Sequence, residues 1–268
     1  MLVVTLGDLL LDVIVRLEES LVPGDDANAT TQVGAGGQAA NVAAWTVALG
    51  ADARCVARRG DDPAGVWLAT HVAAVGVDLV GPVAGRNGVV VSLVSPEGER
   101  TMASDRATAT LLDAGDLDAE WFACDCLHIS AYSLLASPIA AAATRAAELA
   151  RSHGAQVSVD LSAWMRIRAY GAERFRAQLE ALGPDVVFGN EREWDEVGPV
   201  GATRVVKRGA AGFDVIRGDD VQRCQARDVS VVDTTGAGDA LAAGFLVGGH
   251  ELAAEAAARC VAQVGAMP

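Results

Sequence analysis

The run Val232-Asp233-Thr234-Thr235-Gly236-Ala237-Gly238-Asp239-Ala240 puts a carboxylate at a helix start, directly behind a turn that carries two glycines. That combination suits phosphoryl transfer. Residues 230–232 read as the end of an apolar strand and 237–247 (AGDALAAGFLV) as a buried helix, so residues 236–238 turn between them. A helix start leaves backbone N–H groups without intrahelical partners and carries the positive end of the macrodipole, so it attracts anions. Gly236 and Gly238 let the backbone approach a phosphate with no Cβ in the way. Read alone, Asp239 is equally a surface carboxylate that compensates the helix dipole.

Other candidates lie beyond predicted strands, where ligands of open parallel sheets bind. Asp12 follows the first strand, and Gly36, Gly37 and Asn41 follow the segment 28–33. The glycines allow close approach and the Asn amide offers both a donor and an acceptor to a sugar, although an Asp turn and a glycine turn into a helix explain the same residues. Asn190 and Glu193 follow the strand 185–189; a carboxylate facing phosphates needs a cation, and Mg²⁺ bound through water is the sensible one. An N-capped helix with a first-turn acid has the same Asn-x-x-Glu spacing. Lys207-Arg208-Gly209-Ala210-Ala211-Gly212 follows the strand 203–207 and is equally a hairpin into 213–217. Asp160 and Ser162, after the strand 156–160, present the same choice between function and structure, as does His128 near the end of the strand 126–130.

The nine residues 232–240 resemble the second signature of the PfkB, or ribokinase-like, family of sugar and nucleoside kinases. Gly34-Ala35-Gly36-Gly37-Gln38-Ala39-Ala40-Asn41 is similar to its first signature, and Asn190-Glu191-Arg192-Glu193 to its Asn-x-x-Glu element, in the family's order across nearly the whole chain. The resemblance implies that Asp239 takes the acceptor proton while the amides of Gly236, Ala237 and Gly238 form an anion hole. It implies acceptor binding by Asp12, Gly36, Gly37 and Asn41. Nucleotide contacts fall on Asn190, Lys207, Gly209 and Gly212, and an Mg²⁺ role on Glu193. Asp233 and the carbonyl of Thr235 match positions that bind a monovalent cation, K⁺, in many relatives. Here the chain runs only through Gln263-Val264-Gly265-Ala266-Met267 to Pro268, where relatives continue into a turn and strand that complete the cation and adenine sites, so K⁺ dependence stays open. The implied cofactors are ATP and Mg²⁺. Because the transition state is loose, an Asp with an ordinary low pKa suffices as base.

Leu10 stands where ribokinase proper usually has Asn, and Ser130-Ala131 where it usually offers an acid. Ile129-Ser130-Ala131-Tyr132 is closer to keto-sugar-acid or nucleoside relatives, so the acceptor is a small sugar, sugar acid or nucleoside. The alternative is a nucleotide- or sugar-binding protein with little turnover. A dinucleotide oxidoreductase fits less well, because Gly34-x-Gly36-Gly37 lacks Gly-x-Gly-x-x-Gly spacing.

The elements that must position these residues follow from pattern. Short apolar runs at 2–6, 53–58, 126–130, 156–160, 185–189 and 203–207 alternate with helical stretches, the signal of βαβ units and a parallel sheet. Asp62-Pro63 and Ser137-Pro138 read as capped helix starts that Gly76 and Gly154 close, and Gly50 closes a helix begun near Gly37. Residues 13–18 with 28–33, and 88–95 with 99–105, read as paired strands. The resemblance implies a single domain over 1–268, a ribokinase-like three-layer αβα sandwich with a mainly parallel central sheet. Its small β lid would be drawn from about 13–34 and 88–105 and would suit homodimerisation.

Composition is consistent with this reading. At 268 residues, 51% hydrophobic but only 4% aromatic, the core must be built from Ala, Val and Leu. A formal charge of −14 offers no footprint for nucleic acid or anionic membrane. No apolar run reaches bilayer length, and the N-terminus lacks a basic leader region. Five cysteines without a Cys-x-x-Cys pair point to a reducing compartment, the cytoplasm, and Cys124-Asp125-Cys126 lacks the partners of a metal site.

Overall fold

A computed structural model describes residues 1–268. From the N-terminus the elements run β1 (Leu2–Leu6), β2 (Leu10–Leu17), β3 (Ala29–Gly36), α1 (Gln38–Ala48), β4 (Asp52–Val56), α2 (Pro63–Ala74), β5 (Asp78–Val80), β6 (Gly88–Val94) and β7 (Arg100–Asp105). After short 3-10 turns come β8 (Cys126–Ser130), α3 (Ile139–Ser152), β9 (Gln156–Asp160), α4 (Trp164–Tyr170), α5 (Ala172–Leu182), β10 (Val186–Asn190) and α6 (Glu191–Val197). The chain closes with β11 (Thr203–Lys207), β12 (Phe213–Arg217), β13 (Asp220–Cys224) and α7 (Ala237–Val261).

Two sheets result. The nine-stranded sheet has the order β13-β12-β11-β10-β9-β8-β1-β4-β5, parallel from β11 to β5 with an antiparallel edge at β12 and β13. Its central strands β8, β9 and β10 are almost wholly buried, as expected where helices cover both faces of a parallel sheet. On one face α3 and α5 pack Ile139, Ala142, Ala146, Phe175 and Leu179 into the largest apolar cluster. On the other, α1 and α7 pack alanine-rich surfaces, including Ala39, Ala43, Ala240 and Ala243, and α2 adds Leu68 and Val72. Small side chains thus bring the helices close to the sheet. The second sheet, order β3-β2-β6-β7, is the lid; its two hairpins match the sequence reading and join through a parallel β2–β6 ladder.

The punctuation residues behave mostly as their chemistry dictates. Asp62 caps α2 by accepting from the Gly65 N–H, with Pro63 in the first turn. Ser137 does not cap α3: Pro138 occupies the cap position and no side chain caps the helix. The helix expected over 237–247 is present, but α7 continues beyond a break at Gly248 and Gly249 and folds back on itself. A Cβ on Gly244 would lie 2.5 Å from the Leu252 carbonyl oxygen, so glycine there permits the close crossing.

The sheet's carboxyl edge sets up the site. Ser130, Asp160, Asn190 and Lys207 are the last residues of β8, β9, β10 and β11, and register pairs Ser130 with Asp160 and Asn190 with Lys207. Because Asp160 pairs with Phe188, the Asn190–Lys207 pair stands two residues beyond the Ser130–Asp160 pair, and four consecutive parallel strands deliver four polar side chains to one edge in two steps.

Candidate active site

Asp239 lies in the first turn of α7 and is 7% exposed. Its carboxylate accepts from Asn41 Nδ2 at 2.8 Å and from Gln38 Nε2 at 3.4 Å, both from α1. Burial pushes the acid up to about 7, with the Asp160 charge adding to the shift while Asn41, Lys207 and Gln38 oppose it. An ordinary low value is therefore not what the surroundings of Asp239 give. Asn41 is buried and its Oδ1 has no partner. A buried acceptor left open beside a carboxylate awaits a hydroxyl or amine donor.

Gly236, with φ 77°, begins α7 in the left-handed region, and a Cβ there would lie 2.6 Å from the Ala266 Cα. The amides of Gly236 and Gly238 have no acceptor within the chain, whereas Ala237 donates to the Thr234 carbonyl at 3.3 Å. The Asp239 N–H likewise has no acceptor within the chain, so three free N–H groups stand at the helix start. A cavity of about 620 Å³ opens from this turn. Ala237, Gly238, Lys207, Gly209 and Gly212 share its wall, and Val229, Val231, Ala254, Ala257 and Ala258 make much of the remainder apolar. The structure thus joins the glycine turn to the Lys207–Gly212 segment around one cavity.

Lys207, its side chain 15% exposed, forms an ion pair with the fully buried Asp160, Nζ to the two carboxylate oxygens at 2.9 and 2.8 Å. Burial depresses the Lys207 pKa, but Asp160 and Glu193 more than offset this and hold it above the usual lysine value. A Cβ on Gly238 would lie 3.1 Å from the Lys207 ammonium, so this cation borders the glycine turn. Asn190 and Glu193 form a capping box on α6: Glu193 accepts from the Asn190 N–H at 2.7 Å and from Asn190 Nδ2 at 2.9 Å, and Asn190 Oδ1 accepts from the Glu193 N–H at 3.1 Å. Burial raises the Glu193 pKa.

Asp12 projects from β2 of the lid, and burial raises it to about 6 against the lowering field of Arg100. A Cβ on Gly36 would lie 2.1 Å from Asp12 Oδ2, and one on Gly37, with φ 95°, 2.3 Å from the Asp8 carbonyl oxygen. Both glycines are therefore required by contacts to the Asp8–Asp12 segment. Asp233 accepts from Thr235 N–H at 2.9 Å, Thr235 Oγ1 at 2.5 Å and Gly265 N–H at 3.2 Å. The Thr235 carbonyl accepts from Cys260 Sγ at 3.3 Å.

Several contributors carried no assigned role in the sequence. Gln38 reaches Asp239, Ser130 and Ser162, and its only sequence signal is a polar side chain opening an otherwise apolar helix. Arg100 donates to Thr235 Oγ1, and Arg16 Nη2 lies 3.7 Å from Asp233 Oδ2, so two lid arginines touch the loop before α7. His128 is not a cleft residue: it is 1% exposed within β8, its Nδ1 is 2.9 Å from Ser158 Oγ, and burial lowers it to about 4.

Comparison with known proteins matches this arrangement. The chain is 32% identical over 260 residues, covering 91% of its length and 83% of the relative's, to an ATP-dependent ribose-1-phosphate kinase of Halopiger xanaduensis. It is 32% identical over 240 residues to a fructokinase of Klebsiella pneumoniae, covering 80% of this chain and 76% of that one. Its fold superposes with TM-score 0.89 on adenosine kinase from Sinorhizobium meliloti at 24% identity, covering 99% and 95% of the two chains. The model of the pfkB family carbohydrate kinases matches residues 1–267, and the chain belongs to that family.

Proposed function

We propose that this kinase transfers the terminal phosphoryl group of ATP to a hydroxyl of a small sugar, sugar acid or nucleoside, with Asp239 as the base. One observation carries the assignment of roles. A buried carboxylate, held by Asn41 at 2.8 Å, is the third residue of α7, directly after Gly238, whose free amide borders a largely apolar cavity. In this reading the acceptor lies between Asp12 and Asn41, and its hydroxyl donates to Asp239. As the bond to phosphorus forms, Asp239 takes the proton, while the Gly236 and Gly238 amides and Lys207 stabilise charge on the phosphoryl oxygens. The desolvated Asp239 is a stronger base than an exposed Asp, and its value near 7 suits proton transfer at neutral pH.

The chain gathers no group of three or more His, Cys, Asp or Glu side chains able to hold a metal ion. Asn190 already donates to both Glu193 oxygens. Such a donor set fits Mg²⁺ that arrives on the nucleotide phosphates and keeps its waters, with Glu193 and Asn190 reached through water. The ion would supply charge neutralisation on the phosphates. Asp233 and Thr235 would be the K⁺ position; their oxygens already accept hydrogen bonds within the chain, so K⁺ would act by tightening an ordered loop.

No helix is long and apolar enough to cross a membrane. We place the enzyme in the cytoplasm on its five free cysteines, and assign dimerisation to the lid, whose outer strands expose Val33 and Met102. The test is ADP release with Mg²⁺, with and without K⁺, across sugars, sugar phosphates, sugar acids and nucleosides. Acceptor-dependent turnover of wild type that Asp239→Asn abolishes is expected. Nucleotide binding without turnover on any acceptor would instead leave a binding protein.

A further inference from the structure

One hydrogen-bonded chain crosses the site from the nucleotide side to the acceptor side. Lys207 Nζ donates to both oxygens of Asp160, and Ser162 Oγ donates to Asp160 Oδ1 at 2.6 Å. Gln38 Nε2 donates to Ser162 Oγ and to Asp239 Oδ1, and Gln38 Oε1 accepts from Ser130 Oγ. The directions are consistent at each link. Ser130 fixes which end of the Gln38 amide faces Asp239, and the single Ser162 proton goes to Asp160, leaving its oxygen to accept from Gln38.

Two further observations set this chain apart from ordinary core bonding. Ser162 holds φ 39°, one of two non-glycine residues with positive φ, a conformation that persists only where the surroundings enforce it. Asp160 is fully buried, and Lys207 and Ser162 donate every side-chain hydrogen bond that it accepts.

Taking Asp239 as the base, we propose that Asp160, Ser162 and Gln38 are positioning residues that lock Lys207 against the glycine turn and orient the Asp239 carboxylate, aligning phosphoryl group and acceptor as one unit. Lys207 carries the charge that the phosphoryl oxygens meet, and Asp160 keeps that ammonium at the turn. Gln38 holds one Asp239 oxygen while Asn41 holds the other, which leaves the carboxylate little freedom to rotate away from the acceptor.

The test reads kcat, KM and the acidic limb of kcat against pH in three variants. The groups around Asp239 are Gln38 and Asn41 of α1, Asp160 at the end of β9, Lys207 at the end of β11 and Cys260 from the later part of α7, with Glu193 of α6 behind Lys207. Gln38→Leu removes a donor that favours the charged acid, so its limb moves to higher pH. Asp160→Asn removes a like charge while leaving Lys207 an acceptor oxygen, so its limb moves to lower pH. Ser162→Gly cuts the chain and relieves the backbone, so kcat falls about ten- to a hundredfold while thermal stability is kept or rises. Limbs that move the same way or not at all, or a Ser162→Gly enzyme within about twofold of wild-type kcat, overturn the relay. A wild type inert toward every acceptor, or an Asp239→Asn enzyme that turns over normally, overturns instead the kinase role of Asp239 on which the relay rests.

Discussion

The carboxyl edge of the central sheet and the four-stranded lid both bring charged side chains to the same cleft, yet they hold them differently. At the edge, Asp160, Glu193 and Asp239 are all less than a tenth exposed, and each is tied to named partners. On the lid, β7 is exposed along its whole length, and Arg16 is 41% exposed where it meets Asp233. Charges out of water feel their fixed neighbours strongly and salt weakly; charges in water do the reverse. In the proposed mechanism the charges at the edge are therefore set by fixed neighbours, while the lid arginines act through solvent-screened contacts.

The sharpest way to break this contrast is Asp239→Asn. Turnover should fall about 10²-fold or more, measured by ADP release, while the folded state gains stability in alkaline buffer. The sign follows from linkage. The folded acid titrates at about 7 and its ordinary value is 3.8, so ionisation destabilises the native state progressively from about pH 4 to about pH 7 and fully above that. Thermal melts should show the variant more stable than wild type at about pH 8, with the gap closing toward about pH 4.

Gly36→Ala drives a methyl into Asp12 and should lower kcat/KM for the acceptor about ten- to a hundredfold. The KM for ATP should stay near wild type; an equal rise in both would mean that the lid and the edge are one unit. A pH profile of wild-type kcat/KM sharpens the contrast further. Activity should rise with pH as Asp239, pushed up to about 7, loses its proton, with Asp12, pushed up to about 6, steepening the limb below. The smallest effect should come from Arg16→Gln, about fivefold or less in acceptor KM at low ionic strength and less at high salt. An effect unmoved by salt would show that the lid charge is as sheltered as those at the edge.

Much of this architecture was readable because its determinants are contiguous. The alternation of short apolar runs with helical stretches marked β1, β4, β8, β9, β10 and β11, and the glycine-bearing strings 34–41 and 232–240 held their catalytic candidates within one turn of one another. β5 and β13 were silent because DLV is too short and DVQRC too polar to carry a period-two pattern. The relay was hidden for a different reason. Asp160 and Lys207 are 47 residues apart and Gln38 and Ser162 are 124 apart, so only strand order and register bring them together. The raised pKa of Asp239 was likewise invisible, since desolvation is a property of what packs over the carboxylate and not of the run that contains it. Asn190 and Glu193 form the helix cap that their spacing allowed, and that cap stands at the sheet's carboxyl edge.

The break at Gly248 and Gly249 gives the enzyme a modular handle. Upstream of that reversal lie Gly238 and Asp239; downstream, Ala254, Ala257 and Ala258 line the cavity, and Ala254 and Ala257 also pack against the core. Substitutions on this short antiparallel return would therefore reshape the cavity wall from a segment separate from the turn that carries Asp239.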